Sequence, residues 1–265
     1  MKRDWNRSRT AVVSGFVLLA MAVTFAPAPA AAQMGAAPAA EVAVEPAAIA
    51  ALEQMGAYLR TLKAYQVEAA TSREEVLESG LKAQFANVTT ILVRMPDRLF
   101  AETVGDRQQR QYYYNGKEFT LYARRLTYYA TVAAPATVKE LATTVDDKYG
   151  IEIPLVDLLL WGADGASSAG ITAAVDLGAS AIDGVTCTHY AFRQEGLDWQ
   201  IWIQKGDFPL PKRLVLTTTT DEARPQFTAN YTWNLAPSFN DDAFTFDPPA
   251  DAKRIVFEEA AAASK

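Results

Sequence analysis

Histidine and cysteine are almost missing from this chain of 265 residues, which has one of each, His189 and Cys187. A lone cysteine has no partner for an intramolecular disulfide, so stability must come from packing. One histidine and one cysteine also cannot complete a zinc cage or a histidine-rich metal site. The G-x-S-x-G, H-E-x-x-H, P-loop and dinucleotide-binding glycine patterns are lacking as well. Cys187 and His189 are two residues apart, so on a strand they share a face at a Cα spacing of about 7 Å, too far for a direct hydrogen bond. The expected state is a buried thiol beside a histidine hydrogen-bonded between strands. The carboxylate pairs Asp146-Asp147, Asp241-Asp242 and Glu258-Glu259 are sequence neighbours on exposed segments. A glycosidase holds its two carboxyls about 5 to 9.5 Å apart across a cleft, and nothing in the sequence sets that geometry. The residues therefore point to a non-catalytic protein with neither cofactor nor metal.

A basic excess is lacking too. Residues 1–32 hold four of the 25 basic and one of the 31 acidic residues, so the remainder has 21 against 30 and a net charge of −9. Nucleic-acid binding depends on clustered Lys and Arg that displace counterions, and here only Arg107 with Arg110 and Arg124 with Arg125 form short patches. No nucleic-acid partner is expected. The apolar run Ala11–Phe25 has 15 residues, short of the roughly 20 needed to span a bilayer. With Lys2, Arg3, Arg7 and Arg9 before it and Ala30-Ala31-Ala32-Gln33 after it, the run reads as a general-secretion signal cleaved after Ala32. Cysteine is lacking at the cleavage point, so no lipobox is present. The expected product is soluble and periplasmic, away from cytoplasmic nucleotide pools.

Residues 33–46 are rich in Ala and Pro with little apolar bulk and read as a flexible leader; 258–265 read as a similar tail. A single domain is expected over 47–257. It opens with Ile49, Leu52, Met55, Leu59 and Leu62, spaced by three and four along one helical face. Helical signals return only over Thr137–Trp161. Thr137 and Glu140 have capping-box spacing, Gly150 can close that helix, and Pro154 suits the first turn of a second one with Asp157 near its N-terminal dipole. Leu155 to Trp161 is apolar nearly all round, which requires cover on more than one side.

The rest reads as strand. Extended runs cover Tyr65–Ala69, Val88–Met95, Gln109–Tyr114, Lys117–Tyr122, Leu126–Val132, Ile171–Val175, Val185–Arg193, Asp198–Gln204, Leu214–Thr220 and Gln226–Leu235. Asn115-Gly116 predicts a type I′ hairpin turn. The last run alternates Phe227, Ala229, Tyr231, Trp233 and Leu235 with polar residues, one dry face and one wet. The fold class expected is α+β, mainly antiparallel β: one curled sheet of about ten strands with a few helices on one face.

Several segments together resemble a known family. Ile91-Leu92-Val93-Arg94-Met95-Pro96-Asp97-Arg98-Leu99-Phe100, Tyr114-Asn115-Gly116-Lys117-Glu118-Phe119-Thr120-Leu121-Tyr122 and Phe244-Thr245-Phe246-Asp247-Pro248-Pro249 are similar to LolA, the periplasmic lipoprotein carrier. The fuller pattern resembles a family of predicted periplasmic proteins of unknown function with the same fold. It takes in Tyr149-Gly150-Ile151-Glu152-Ile153-Pro154-Leu155, Cys187-Thr188-His189-Tyr190-Ala191-Phe192-Arg193, Asp198-Trp199-Gln200-Ile201-Trp202-Ile203 and Leu210-Pro211. The resemblance covers nearly all of 47–257. It implies an incomplete antiparallel barrel, a half-barrel closed by a helical lid, whose apolar cavity takes acyl chains in the related carriers. One departure stands out: where those carriers have a latch arginine before the proline, this chain has Met95, with Arg94 one residue earlier. On a strand that shift reverses the face.

Together these readings give an expected function. It is a periplasmic binding or carrier protein for a lipid, a lipoprotein acyl chain or another amphipathic ligand, with an inner- or outer-membrane protein as a candidate further partner. Leu155, Leu158, Leu159 and Trp161 would form the lid, and Trp199, Trp202, Tyr231 and Trp233 would line or rim the cavity. The same residues also fit an ordinary core between sheet and helices. The alternative function is an envelope sensor or scaffold that uses the same half-barrel for protein contacts.

Overall fold

The computed structural model describes residues 43–161, 168 and 170–259. The expected export signal, most of the expected leader and the end of the expected tail lie outside the described residues.

Helix α1 (Pro46–Thr61) leads into six strands, β1 (Ala64–Val76), β2 (Lys82–Arg94), β3 (Arg98–Gly105), β4 (Gln109–Tyr114), β5 (Glu118–Ala123) and β6 (Tyr128–Ala133). Helices α2 (Val138–Tyr149) and α3 (Val156–Leu160) follow. Five strands complete a second meander, β7 (Ala173–Ile182), β8 (Val185–Gln194), β9 (Leu197–Gln204), β10 (Pro211–Thr218) and β11 (Gln226–Asn234), and a two-residue β12 (Lys253–Arg254) ends it. All lie in one sheet in the order β12-β6-β5-β4-β3-β2-β1-β11-β10-β9-β8-β7. The order is linear: the sheet is open, and mainly antiparallel, with β12 parallel to its neighbour β6.

Among the described residues twelve strands stand where about ten were expected, and the two additions have different causes. Strand β3 buries Leu99, Ala101 and Thr103 while Phe100 and Val104 lie on its other face, so apolar residues occur on both sides and no alternation shows. Strand β12 is too short to carry a period. Strand β1 also runs on to Val76, paired residue for residue with β2 as far as Val76 opposite Lys82. Its second half is polar on both faces and holds its extended form through ladder hydrogen bonds with β2 and β11.

Pairing of β1 with β11 joins the two meanders, placing Val67 opposite Trp233 and Ala69 opposite Tyr231. These residues belong to one hydrophobic cluster formed by one face of the sheet and the three helices. Helix α1 contributes Ala48, Leu52, Met55 and Leu59, α2 contributes Val138, Leu141 and Val145, and α3 contributes Leu158. Val93, Ile91, Leu99, Tyr112, Tyr114 and Phe119 meet them from the strands. This helix-bearing side is the covered face of the sheet.

Helix boundaries follow local chemistry. Pro46 fills the first turn of α1, where its missing N–H costs nothing. Before it, the Glu45 N–H donates to the Ala174 carbonyl (2.9 Å) and the Glu45 carboxylate accepts from the Asp176 N–H (2.9 Å), so the end of the expected leader is tied to β7. Thr137 caps α2: its Oγ1 accepts from the Glu140 N–H (3.2 Å) and donates to the Glu140 carboxylate (2.9 Å). Replacing Thr137 with Ala is expected to cost about 1 kcal/mol, read as a lower urea midpoint. Gly150, at φ 62, closes the helix, its N–H donating to the Asp146 carbonyl (2.8 Å). Helix α3 departs from expectation. Pro154 lies before the helix, and Leu155 takes the N-cap position at φ 58, a left-handed conformation that a Leu side chain disfavours.

The hairpin turn is displaced by one residue. Its central residues are Gly116 and Lys117, with Tyr114 paired to Phe119. Among them only Gly116 has positive φ (85°), the pattern of a type II′ turn rather than type I′. Asn115 explains the shift, because its Oδ1 accepts from the N–H groups of Lys117 (3.1 Å) and Glu118 (3.0 Å) and so folds the chain one residue later. A Cβ at Gly116 would approach Arg98 Nη1 to 2.8 Å and Asp97 Oδ2 to 2.9 Å. Gly116→Ala should therefore destabilise by about 1 kcal/mol or more, measured by urea denaturation.

Candidate functional site

The apolar interior between the covered face and the helices is the place where the sequence puts its candidate residues. Strand parity decides which of them reach it. In β9 the residues Trp199, Ile201 and Ile203 point inward, and all three are buried in the core. Trp199 lies between two rings, stacked on Phe192 with centroids 4.2 Å apart and edge-on to Trp161 at 6.0 Å. In β11, Tyr231 is buried and Trp233 half-buried on the same face; Trp233 meets Tyr65 at 5.7 Å and its indole N–H donates to the Pro211 carbonyl (2.9 Å).

Trp202 belongs to the other face. It lies three positions from Trp199, an odd offset, so the two side chains point to opposite sides. Trp202 stacks on His189 with centroids 3.8 Å apart, lies 5.6 Å from the Arg213 guanidinium and donates from its indole to Ser180 Oγ (3.2 Å). It does not line the interior with the other tryptophans, a correction that the period of two is sufficient to make.

Around α3, Leu158 is buried, while Leu155 and Trp161 are half-buried against the same cluster. Leu159 is in the helix, and its side chain lies outside the described parts. The Trp161 carbonyl accepts from Arg60 Nη1 (3.5 Å), which ties the end of α3 to α1. The indole nitrogens of Trp161 and Trp199 are both buried and have no hydrogen-bond partner among the described residues. Each such orphan donor costs about 1–3 kcal/mol, so this pair is the most polar unmet demand inside an otherwise apolar space.

Sequence reasoning missed Phe192, Tyr190, Leu214 and Tyr65, all buried in the same interior. The inward parity of β8, β10 and β1 is the signal that finds them. Burial pushes the Tyr65 phenol well above its ordinary range, and Tyr114 is raised to about 12 by burial first and then by Asp97 and Glu140. Both phenols therefore remain neutral through the physiological range. The Tyr114 hydroxyl donates to the Pro135 carbonyl (2.6 Å).

Cys187 and His189 make separate contacts. The thiol is buried, donates weakly to the Val185 carbonyl (3.4 Å) and is pushed up by that burial, the opposite of an activated thiolate. His189 hydrogen-bonds Gln200 across strands (3.0 Å). Desolvation lowers the His189 pKa below 6.5, against an opposing effect of the Gln200 bond. Neutral His189 is thus the form that folding favours: its contribution is present above pH 6.5 and is lost as pH falls through that value toward the folded pKa. Stability is expected to fall on moving from about pH 7 to 5.5, and His189→Gln should flatten that fall in urea midpoints.

Arg94 and Met95 also separate by parity. Met95 packs against the core, whereas Arg94 pairs with Asp241 and lies 5.4 Å from the Phe244 ring. The arginine holds the C-terminal segment on the opposite face of the sheet and does not latch the helices. The neighbouring Pro96 carbonyl instead accepts from the Val138 N–H (2.8 Å), linking the end of β2 to the start of α2. On that opposite face Phe246 sits among Tyr113, Tyr122 and Tyr129, with centroids 5.2, 5.3 and 5.0 Å away.

An open, mainly antiparallel sheet with helices on one face and an apolar interior defines the class. Residues 48–258 match the family model described as predicted periplasmic protein (DUF2092), and the chain belongs to that family. The family description places it in the periplasm, and no helix among the described residues is long and apolar enough to cross a membrane. No curated protein matches the chain. Among solved structures it is similar to the lipoprotein LppX of Mycobacterium tuberculosis, at 14% identity and TM-score 0.46, covering 74% of this chain and 100% of that one. It is also similar to LprF from Mycobacterium bovis, at 11% identity and TM-score 0.43, covering 79% and 99% respectively. A LolA superfamily protein from Nitrosomonas europaea is similar at 11% identity and TM-score 0.36, covering 75% and 97%.

Proposed function

We propose that this chain is a non-catalytic periplasmic binding or carrier protein for a lipid, a lipoprotein acyl chain or another amphipathic ligand. The ligand is held between the covered face and a lid made by α2 and α3. The observation that carries this reading is the pair of orphan indole donors, Trp161 and Trp199, inside an apolar interior. An acyl chain ending in an ester or carboxyl group supplies the missing acceptor oxygen on a body that matches the apolar surroundings. At about 0.8 kcal/mol per buried CH₂, one long chain offers on the order of 10 kcal/mol before ordering costs. Lid opening exposes Leu158 and Leu155 at a cost of a few kcal/mol, roughly 1.5–3 per side chain, so entry of ligand has to replace them. The left-handed Leu155 gives α3 a strained N-terminal joint where such movement can begin.

Native mass spectrometry of the protein purified from its own periplasm tests the proposal. The expected result is a lipid adduct, or uptake of a long-chain fatty acid on challenge with a shift in tryptophan emission. A bare mass together with no uptake would overturn it. The second reading, an envelope sensor or scaffold, is supported by the exposed tip of the β1–β2 hairpin, where Leu77 is 40% and Leu81 67% exposed. That reading predicts recovery of a protein partner that Leu77→Ser with Leu81→Ser abolishes, with no lipid bound.

A further inference from the structure

Behind the sheet, on the face away from the helices, a cavity of about 220 Å³ lies between strands β4 to β6 and the C-terminal segment. Its lining includes Tyr113, Glu118, Thr120, Tyr129, Phe246 and Arg254. Strand parity explains the set. Glu118 and Thr120 alternate with the core residues Phe119 and Leu121, Tyr129 alternates with Ala130, and Tyr113 with Tyr112 and Tyr114. Arg254 is brought beside Tyr129 by the parallel pairing of β12 with β6. The Phe-x-Phe-x-Pro-Pro segment, which the acyl-binding reading leaves unused, supplies the remaining wall through Phe244, Phe246 and Pro248.

The polar groups of this cavity divide into satisfied and unsatisfied ones. Thr120 and Thr131 hydrogen-bond each other across strands (2.8 Å). The Glu118 carboxylate and the Arg254 guanidinium have no ion-pair or hydrogen-bond partner among the described residues, although both line the same small space. Tyr122 lies opposite Tyr129, and Arg254 is beside Tyr129. Glu118 is four residues from Tyr122, so the Cα positions of Glu118 and Arg254 are offset by about 13 Å along the strand direction. An anion at one end, a cation at the other and aromatic faces between them form a complementary template. Carboxylates and aromatic faces both attract ammonium groups, and a guanidinium pairs with carboxylate or phosphate.

We propose that this cavity binds a small zwitterion, its ammonium group between Glu118 and the ring of Tyr113 and its anionic group on Arg254, beside Tyr129. The chemistry is shared by two sources, a phosphoethanolamine lipid head group and a free amino-acid or dipeptide solute. Because the site is on the face away from the helices, it does not depend on acyl binding in the interior.

Calorimetric titration of the mature chain is the test, run with O-phosphoethanolamine, with L-alanyl-L-alanine and with acetate and ethylammonium as single-charge probes. Phosphatidylethanolamine vesicles form a co-sedimentation arm. At least one zwitterion is expected to bind ten times or more tightly than either single-charge probe, with Tyr113, Tyr129 and Phe246 ring resonances shifting. Glu118→Gln and Arg254→Gln are each expected to weaken it tenfold or more while leaving the urea midpoint unchanged, since both side chains are exposed and unpartnered among the described residues. Phosphoethanolamine and vesicle binding without dipeptide binding assigns a lipid head group; dipeptide binding without vesicle binding assigns a free solute. Either result supports the site. Absence of any zwitterion binding at millimolar concentration, equal binding of the single-charge probes, or unchanged affinity in both variants would overturn it.

Discussion

Trp199→Ala is expected to destabilise the protein by about 3–5 kcal/mol, the range for emptying an aromatic site in a core. It should also reduce fatty-acid uptake at least tenfold. Trp202→Ala, only three residues away, is expected to leave uptake within twofold. The contrast follows from parity: Trp199 is 5% exposed and packed between Phe192 and Trp161, whereas Trp202 stacks on His189 on the other side of the sheet. Urea denaturation and fatty-acid titration of both variants check the pair. Trp199→Phe separates volume from hydrogen bonding, because it keeps an aromatic ring and removes an orphan donor. It should lose less stability than Trp199→Ala, yet still lose affinity for an ester-bearing ligand. Equal loss of uptake in Trp199→Ala and Trp202→Ala would sink the interior-site proposal.

Phe244→Ala should cost about 3–5 kcal/mol, an effect as large as that of any single core truncation. Phe244 is 1% exposed although it lies in a short 3₁₀ turn outside the main ladder. It packs edge-on against Phe239 at 5.2 Å, and the Arg94 guanidinium lies 5.4 Å from its ring centre. Arg94→Ala should cost far less, about 1 kcal/mol or below, because Asp241 is exposed and a surface ion pair contributes little. The two urea midpoints therefore rank the plug above the clamp. A Phe244→Ala loss no larger than that of Arg94→Ala would show that the C-terminal segment is only loosely attached.

Much of the interior is legible in the spacing of residues along the chain. The alternation Phe227, Ala229, Tyr231, Trp233 is followed in β11, and the helical face Leu52, Met55, Leu59 is the buried face of α1. Gly150 closes α2, as its backbone freedom suggests. Sequence reasoning fails where a local signal has a rival. At β3 the apolar residues fall on both faces because Phe100 packs on Tyr113 away from the core (5.0 Å), which erases the period. At the hairpin, Asn115 bonds its own following N–H groups and moves the turn by one residue. At β9, two tryptophans share a chemistry, yet their odd spacing puts them on opposite faces of the sheet.

By itself the amino-acid order determined most of the elements, most of their wet and dry faces and the poverty of reactive side chains, because these depend on spacings of two to four residues along one chain. Pairing of β1 with β11, burial of the Trp161 and Trp199 donors without acceptors, and Arg254 beside Tyr129 were decided only in the tertiary structure. Those features join residues from 38 positions apart, Trp161 to Trp199, up to 168 apart, Gln66 to Asn234. No local period encodes such distances; they arise when the whole sheet assembles and its two faces find different covers.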